Sequence, residues 1–372
     1  MSEVLRPRVL FVGRTRYTLP LGESIARKWD ALANELDLRV VASAVPGGSA
    51  ASDPRFVLVP ARPLDGPRFY AGLPMRLARE LRLFKPDVVI AESPYEGVAA
   101  ELARRLTRSQ AKLIVEVHGD WRVSTRLYGS PARRLLGPLG DRLARFAVRS
   151  ADGTRAVGAV MADVIRGAGR EPSAVFTTFS DLGAFTGQTV PVPEAPRALF
   201  VGVLERYKNV SGLAAAWRLV SERLPEATLH LVGNGTDTDV AEGLMREGVQ
   251  WDRRLTAAEV ATALDEARVL LLPSASEGLP RVAMEAFLRG RAVIGSAAGG
   301  IPDIIEHNVN GLLVPYGDVE ALADAIVAVL SDHDLAVSLG QGALASSSQW
   351  NRTPAEYARK VRELVDGVLA GR

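Results

Sequence analysis

The chain has 372 residues, 47% hydrophobic and 24% charged, with 45 Lys+Arg against 43 Asp+Glu and no cysteine. Such a length exceeds one ordinary core and indicates two domains, and the balanced composition excludes a disordered or fibrous chain. The missing cysteines exclude disulfides, thiolate metal sites and a cysteine nucleophile, and no apolar run approaches the ~20 residues that cross a bilayer.

In chain order, MSEVLRPRVLFVG shows no signal-peptide h-region, so a cytoplasmic location is expected. Strand-like runs follow at 8–12, 38–43, 55–60, 87–91, 112–117, 154–157 and 174–178. They are Val/Ile/Leu runs without strict alternation, as in strands of a parallel sheet covered on both faces. After the proline-rich VPVPEAPRA (190–198) the pattern restarts, with runs at 198–203, 228–233, 269–273, 292–295 and 311–315. Helical patterns fill the gaps, for instance 209–224 and 319–332, and 354–371 reads as a last amphipathic helix. The alternation predicts two doubly wound, Rossmann-like α/β domains, 1–189 and 190–350, with 351–372 packing back on the first. Ligands of such sheets bind beyond the carboxyl ends of the strands, so the expected site is the cleft across which the domains face.

Charge is uneven along this frame. Residues 1–195 hold 28 Lys+Arg against 20 Asp+Glu, and the remainder 17 against 23. A basic half joined to an acidic half indicates different partners for the two domains.

The most informative stretch is SEGLPRVAME (276–285), directly after VLLLP. It reads as strand, turn and helix, with Pro280 suited to the first helical position. Amides around Gly278 to Val282 then leave the helix end unpaired and favour an anion. Arg206 and Lys208 lie beyond the neighbouring strand ALFVGV and supply cations. A diphosphate between Lys208, Arg206 and these amides, with Glu277 and Glu285 accepting hydroxyls on either side, matches a nucleotide sugar. Singly, each residue has a plainer reading: Glu277 as a helix cap, Glu285 as an exposed helix residue, Lys208 and Arg206 as surface charges, His118 as a structural histidine, Trp251 as core. Gly233 and Gly235 would suit any strand–helix turn.

SEGLPRVAME with its E-x7-E spacing, GSAAGGIPDIIEHNVNGLLVP, LFVGVLERYKN and HLVGNG together resemble the donor half of a retaining "group 1" glycosyltransferase of the GT-B fold. The resemblance covers about 190–350 well and is weaker before that, where VEVHGDW and SADGTRAVGAVMADVIRGAG are similar to family segments. It implies that Glu285 binds ribose hydroxyls, Glu277 the transferred sugar, and Lys208 the diphosphate with the amides of Gly278 and Leu279. It also implies that His118 faces the sugar near its reacting carbon and that Trp251 lies where the chain passes the base. Three departures stand out. Val203 occupies the place of a usual arginine, leaving Arg206, or failing it Arg14 or Arg16, as the second cation. TTFSDLGAF retains only Asp181 and Phe185 of the usual turn, and the N-terminal segment leaves Gly22 as the one candidate for close backbone approach to the donor. Asp120 is a candidate to orient His118.

With no cysteine, scattered histidines and no Asp-x-Asp (the DTD at 237–239 reads as a helix cap), no metal is expected; cations and helix amides would stabilise the diphosphate. The expected activity is a retaining, metal-independent transfer of a sugar from a nucleotide-diphosphate sugar to an acceptor hydroxyl of a glycan or lipid-linked acceptor. The alternatives are a GT-B nucleotide-sugar epimerase and a catalytically silent nucleotide-sugar-binding protein. The basic amphipathic stretches 74–86 and 130–149 point to peripheral contact with an anionic membrane; aromatic residues are not interleaved with the charges, which argues against nucleic acid.

Overall fold

The computed structural model describes residues 6–47, 51–60, 65–123 and 136–371. The chain divides into two compact units: among the described residues, one holds those up to Arg122, 136–179 and 353–371, and the other holds Val123 and 180–352.

The first unit is built on a parallel sheet of β1 (Arg8–Tyr17), β2 (Asp37–Ala44), β3 (Phe56–Val59), β4 (Val88–Ala91), β5 (Lys112–Val117), β6 (Gly153–Ala156) and β7 (Ala174–Val175), in the order β3-β2-β1-β4-β5-β6-β7. Its helices include α1 (Glu23–Glu35), α2 (Asp65–Leu83), α3 (Pro94–Thr107), α4 (Gly137–Ser150) and α5 (Ala159–Gly167). The continuous apolar runs are covered on both sides: every residue of β4 and β6 is buried. β1 runs five residues past the expected Val12, with a register irregularity between Val12 and Arg16.

The second unit has a parallel sheet of β8 (Arg197–Val201), β9 (Thr228–Val232), β10 (Gln250–Asp252), β11 (Val269–Leu272), β12 (Ala292–Ser296) and β13 (Gly311–Val314), ordered β10-β9-β8-β11-β12-β13. Around it lie α6 (Val210–Arg223), α7 (Thr238–Arg246), α8 (Ala257–Asp265), α9 (Arg281–Leu288), α10 (Val319–Ser331) and α11 (His333–Ser346). β10 is a three-residue edge strand, too short to leave an apolar run in the sequence. In each sheet the winding reverses once, between β1 and β4 and between β8 and β11, which opens a crevice outside the carboxyl ends of those strands.

The division falls at 179/180, ten residues before the expected boundary. Leu182 and Phe185 are buried among Leu199, Leu264 and Phe287, and Arg281 and Arg289 donate to the carbonyls of Asp181 and Gln188 at 2.9 Å. The last helix, α12 (Pro354–Leu369), opens with a Thr353/Glu356 capping box and buries Tyr357, Val361, Leu364, Val365 and Val368 in the first unit. Arg362 donates to the Glu35 carbonyl at the end of α1.

Candidate active site

In the second unit the chain leaves β8 through Gly202 and turns at Arg206–Lys208, a single 3-10 turn ended by Asn209 in the left-handed region. It leaves β11 through Pro273 and reaches α9 only at Arg281. The amide of Ala275 donates to the Tyr207 carbonyl at 2.7 Å and ties the two loops together. Lys208 Nζ and Glu277 Oε1 meet between them at 2.6 Å, both side chains largely withdrawn from water. The two residues assigned to diphosphate and sugar are therefore direct partners, at the reversal point of the sheet. Arg206, two residues earlier, is exposed, and its side chain makes no hydrogen bond or ion pair among the described residues.

The loop carrying Glu277 is wedged in place by the loop after β12. Gly300 donates to the Glu277 carbonyl at 2.8 Å, and a Cβ on Gly300 would fall 1.7 Å from the Gly278 carbonyl oxygen. Only glycine fits. The amides of Gly278 and Leu279 donate no hydrogen bond among the described residues, so they are available to an anion at the helix end. Pro280 takes the N-cap rather than the first helical position, with extended backbone.

Glu285 is buried in the second turn of α9 and pairs at 2.7 Å with Arg281, four residues earlier. Burial pushes its carboxyl above the ordinary carboxylate range, and the Arg281 guanidinium offsets part of that. Arg281 is the partner that an apolar VAMEAFL setting demanded and that reading the sequence did not supply. Its place one turn before Glu285 was the available signal.

Gly233 and Trp251 are held chiefly by the protein. Gly233 has φ +147°, and a Cβ there would lie 1.8 Å from the Gly202 carbonyl oxygen. The close approach it permits is between the ends of β8 and β9, and Gly202 in turn lies against the Lys208 stem. Trp251 donates from Nε1 to the Gly233 carbonyl at 2.9 Å, packs on the core, and carries the Arg253 guanidinium over its ring at 4.4 Å. Asp237, expected to cap α7, occupies the N-cap position without a capping hydrogen bond. Among the described residues no three His, Asp or Glu side chains converge as metal ligands do.

In the first unit His118 follows β5 directly. Its Nε2 lies 2.9 Å from Glu116 and its Nδ1 3.3 Å from the Thr178 hydroxyl. Glu116 is buried and pairs at 2.7 Å with Arg155, its register partner on β6. Arg155 is fully buried; it also donates to the Phe176 carbonyl at 2.9 Å and to Thr178 at 3.3 Å, and stacks on the Phe176 ring. Burial alone would raise the Glu116 carboxyl, but Arg155 and the His118 hydrogen bond outweigh it and hold the group well below the ordinary range. Both imidazole nitrogens thus have partners, and Nδ1, on the longer contact, is the one that a ligand hydroxyl can take over from Thr178.

The orienting group is Glu116, not Asp120. Asp120 is engaged by Arg122, which donates to it at 2.8 and 2.7 Å. The signal for Glu116 and Arg155 was a charge inside each of two buried strands, KLIVEV and TRAV, where an unpaired charge is prohibitive. Gly22 stands exposed at the N-cap of α1 with extended backbone and nothing within 4 Å of a Cβ. Closer packing in that segment is at Gly13, where a Cβ would fall 1.8 Å from the Glu92 carboxylate at the β1/β4 reversal and displace that side chain.

Two family models match the chain, one described as a glycosyl transferase 4-like domain over residues 17–178 and one as glycosyl transferases group 1 over residues 195–332. An amylovoran biosynthesis glycosyltransferase of Erwinia amylovora is 34% identical over 138 residues, 34% of each chain. A sulfoquinovosyl transferase of Arabidopsis thaliana is 26% identical over 306 residues, 76% of this chain and 58% of that protein. The chain thus spans about a third to somewhat over half the length of these curated relatives. Among solved structures, Anabaena HepE in complex with UDP and glucose has a TM-score of 0.71 at 18% identity, over 97% of this chain and 100% of that one.

Proposed function

The chain belongs to the group 1 glycosyltransferases and has the GT-B fold; from that premise we propose that it is a retaining, metal-independent enzyme that moves a sugar from a nucleoside-diphosphate sugar to an acceptor hydroxyl in glycan, glycolipid or polysaccharide synthesis. The observation that carries this reading is the Lys208–Glu277 pair beside the free amides of Gly278 and Leu279. A diphosphate can take the ammonium and the amides together, leaving Glu277 to accept a sugar hydroxyl. As the glycosidic bond breaks, negative charge grows on the β-phosphate, and prearranged donors stabilise that charge more than the ground state. HepE, a structure with the same fold, is in complex with UDP and glucose, which supports the same ligand class here.

Glu285 is assigned to the ribose diol, its carboxylate exchanging part of its bond to Arg281 for hydroxyl donors. Arg206 is the second cation toward the departing diphosphate, reached from solvent. His118 is assigned to the sugar hydroxyls near the reacting carbon. Retention through front-face attack, with the leaving phosphate receiving the acceptor proton, needs no carboxylate nucleophile.

The test is turnover of UDP-, GDP- and ADP-sugars in EDTA, with the anomeric configuration of the product read by NMR. The same anomer as the donor, formed without added metal, is the expected result. An isomeric nucleotide sugar would indicate an epimerase, and binding without turnover a silent module. Inversion, or loss of activity in EDTA restored by Mg²⁺, would overturn those parts of the reading.

A further inference from the structure

Two basic amphipathic helices of the first unit differ in where they put their large apolar side chains. α2 buries Phe69, Leu73, Leu77 and Leu81 and leaves Met75 and Leu83 exposed together with Arg79 and Arg82. Most of its large apolar side chains face the core, as in an ordinary surface helix. α4 buries none of its leucines, nor its phenylalanine. Its buried positions are Gly137, Ala144, Ala147 and Val148, whereas Leu139, Leu143 and Phe146 are 54%, 39% and 40% exposed. Small residues face inward because α4 lies close on α3: a methyl added to Gly97 would come within 3.2 Å of the Ala147 Cβ. α3 continues the apolar surface with Leu102 and Leu106, 47% and 55% exposed, and sets Arg105 over the Phe146 ring at 5.5 Å.

The exposed charges of α4 have one sign, with Asp141 only partly exposed. The side chains of Arg142 and Arg145 make no ion pair or hydrogen bond among the described residues. With Phe146, Arg149 and Ser150 they line a surface hollow. Positions 139, 143 and 146 form one stripe of the helix, and 142, 145 and 149 the stripe beside it. Arg133 and Arg134, the other basic residues expected in this stretch, lie outside the described residues.

We propose that the α3–α4 face docks on an anionic lipid surface, with Leu139, Leu143 and Phe146 entering the acyl boundary and Arg142 and Arg145 meeting phosphate headgroups. Unpaired arginines beside exposed leucines match the two layers of such a surface. A polynucleotide would satisfy the arginines and leave the leucines in water. A second copy of the same basic face would set arginine against arginine.

The experiment is co-sedimentation of the full chain with phosphatidylcholine vesicles, with and without phosphatidylglycerol, at low and high salt. Wild type is expected to bind only the anionic vesicles and to be released by salt. Arg142→Ala and Arg145→Ala each lower the partition constant about fivefold, and the triple variant Leu139→Ser/Leu143→Ser/Phe146→Ser lowers it at least as much as either. Arg79→Ala/Arg82→Ala on α2 has the smaller effect. Urea midpoints check that the variants are folded, and Phe146→Ser alone serves if the triple variant is not. The proposal fails if wild type ignores anionic vesicles at low salt, or if the leucine and phenylalanine changes leave binding intact. It fails equally if the triple variant dissolves a dimer of a protein that never binds vesicles.

Discussion

Each unit buries a cation against a carboxylate near the end of a central strand, and the two pairs are built differently. Arg155 and Glu116 sit opposite each other in the register of β5 and β6, and Arg155 is fully buried with each of its three nitrogens donating, to Glu116, Phe176 and Thr178. Lys208 and Glu277 sit on loops beyond their strands, part-buried, with one hydrogen bond between them. A saturated pair inside a sheet has nothing left to offer a ligand, so its role is to fix His118 and hold β5 to β6. An unsaturated pair on loops can be separated by a ligand that gives each partner something better.

The largest effect expected from this contrast is on stability. Glu116→Ala leaves a buried arginine uncompensated and should cost ~3–5 kcal/mol, read from urea unfolding, whereas Glu277→Ala should cost less, because Lys208 lies on a loop and can turn its ammonium to water. Equal losses would erase the distinction between the pairs.

Next in size is catalysis. Lys208→Met should slow transfer by ~10²–10³-fold, the usual cost of one donor to developing charge, with little change in unfolding midpoint. Arg206→Ala should slow it less, because an exposed guanidinium acts through screened solvent. An Arg206 variant as slow as the Lys208 variant would show that the second cation is as closely engaged as the first.

Glu285→Ala should weaken nucleoside-diphosphate binding by ~1.5–3 kcal/mol, the range for hydrogen bonds to charged groups. The smallest effects are the opposite pH signs of two carboxylates. Glu116 is held low in the folded state, so its contribution is present above the unfolded carboxylate range and is lost as pH falls through the depressed value. Glu285 is raised by burial, so its ionisation weakens the fold as pH rises from the unfolded to the raised value. Nucleotide affinity carried by ionised Glu285 should fall as pH drops through that raised value. Comparing pH–stability curves of Glu116→Gln and Glu285→Gln with wild type checks both signs.

The two doubly wound sheets were legible because both-face burial writes continuous apolar runs, and the donor loop because SEGLPRVAME places glycine, proline and two carboxylates at a strand–helix turn. Partners across space were not. Nothing in local spacing joins Lys208 to Glu277, 69 residues away, or shows that Asp120 is spent on Arg122 while Glu116 holds His118. The stretch 180–189 gave no sign of belonging to the second unit, because Leu182 and Phe185 are too few to form a run. α2 and α4 looked alike in sequence, since composition does not say which stripe faces inward.

The central claim is that Lys208 and Glu277 divide a nucleotide sugar between them. Calorimetric titration with the nucleoside diphosphate that wild type binds, on Lys208→Met and Glu277→Gln in parallel, tests it most directly. Lys208→Met should lose at least about tenfold in affinity (~1.4 kcal/mol), while Glu277→Gln keeps nucleotide affinity and loses sugar transfer. Wild-type affinity in Lys208→Met, or equal losses in both variants, would contradict it.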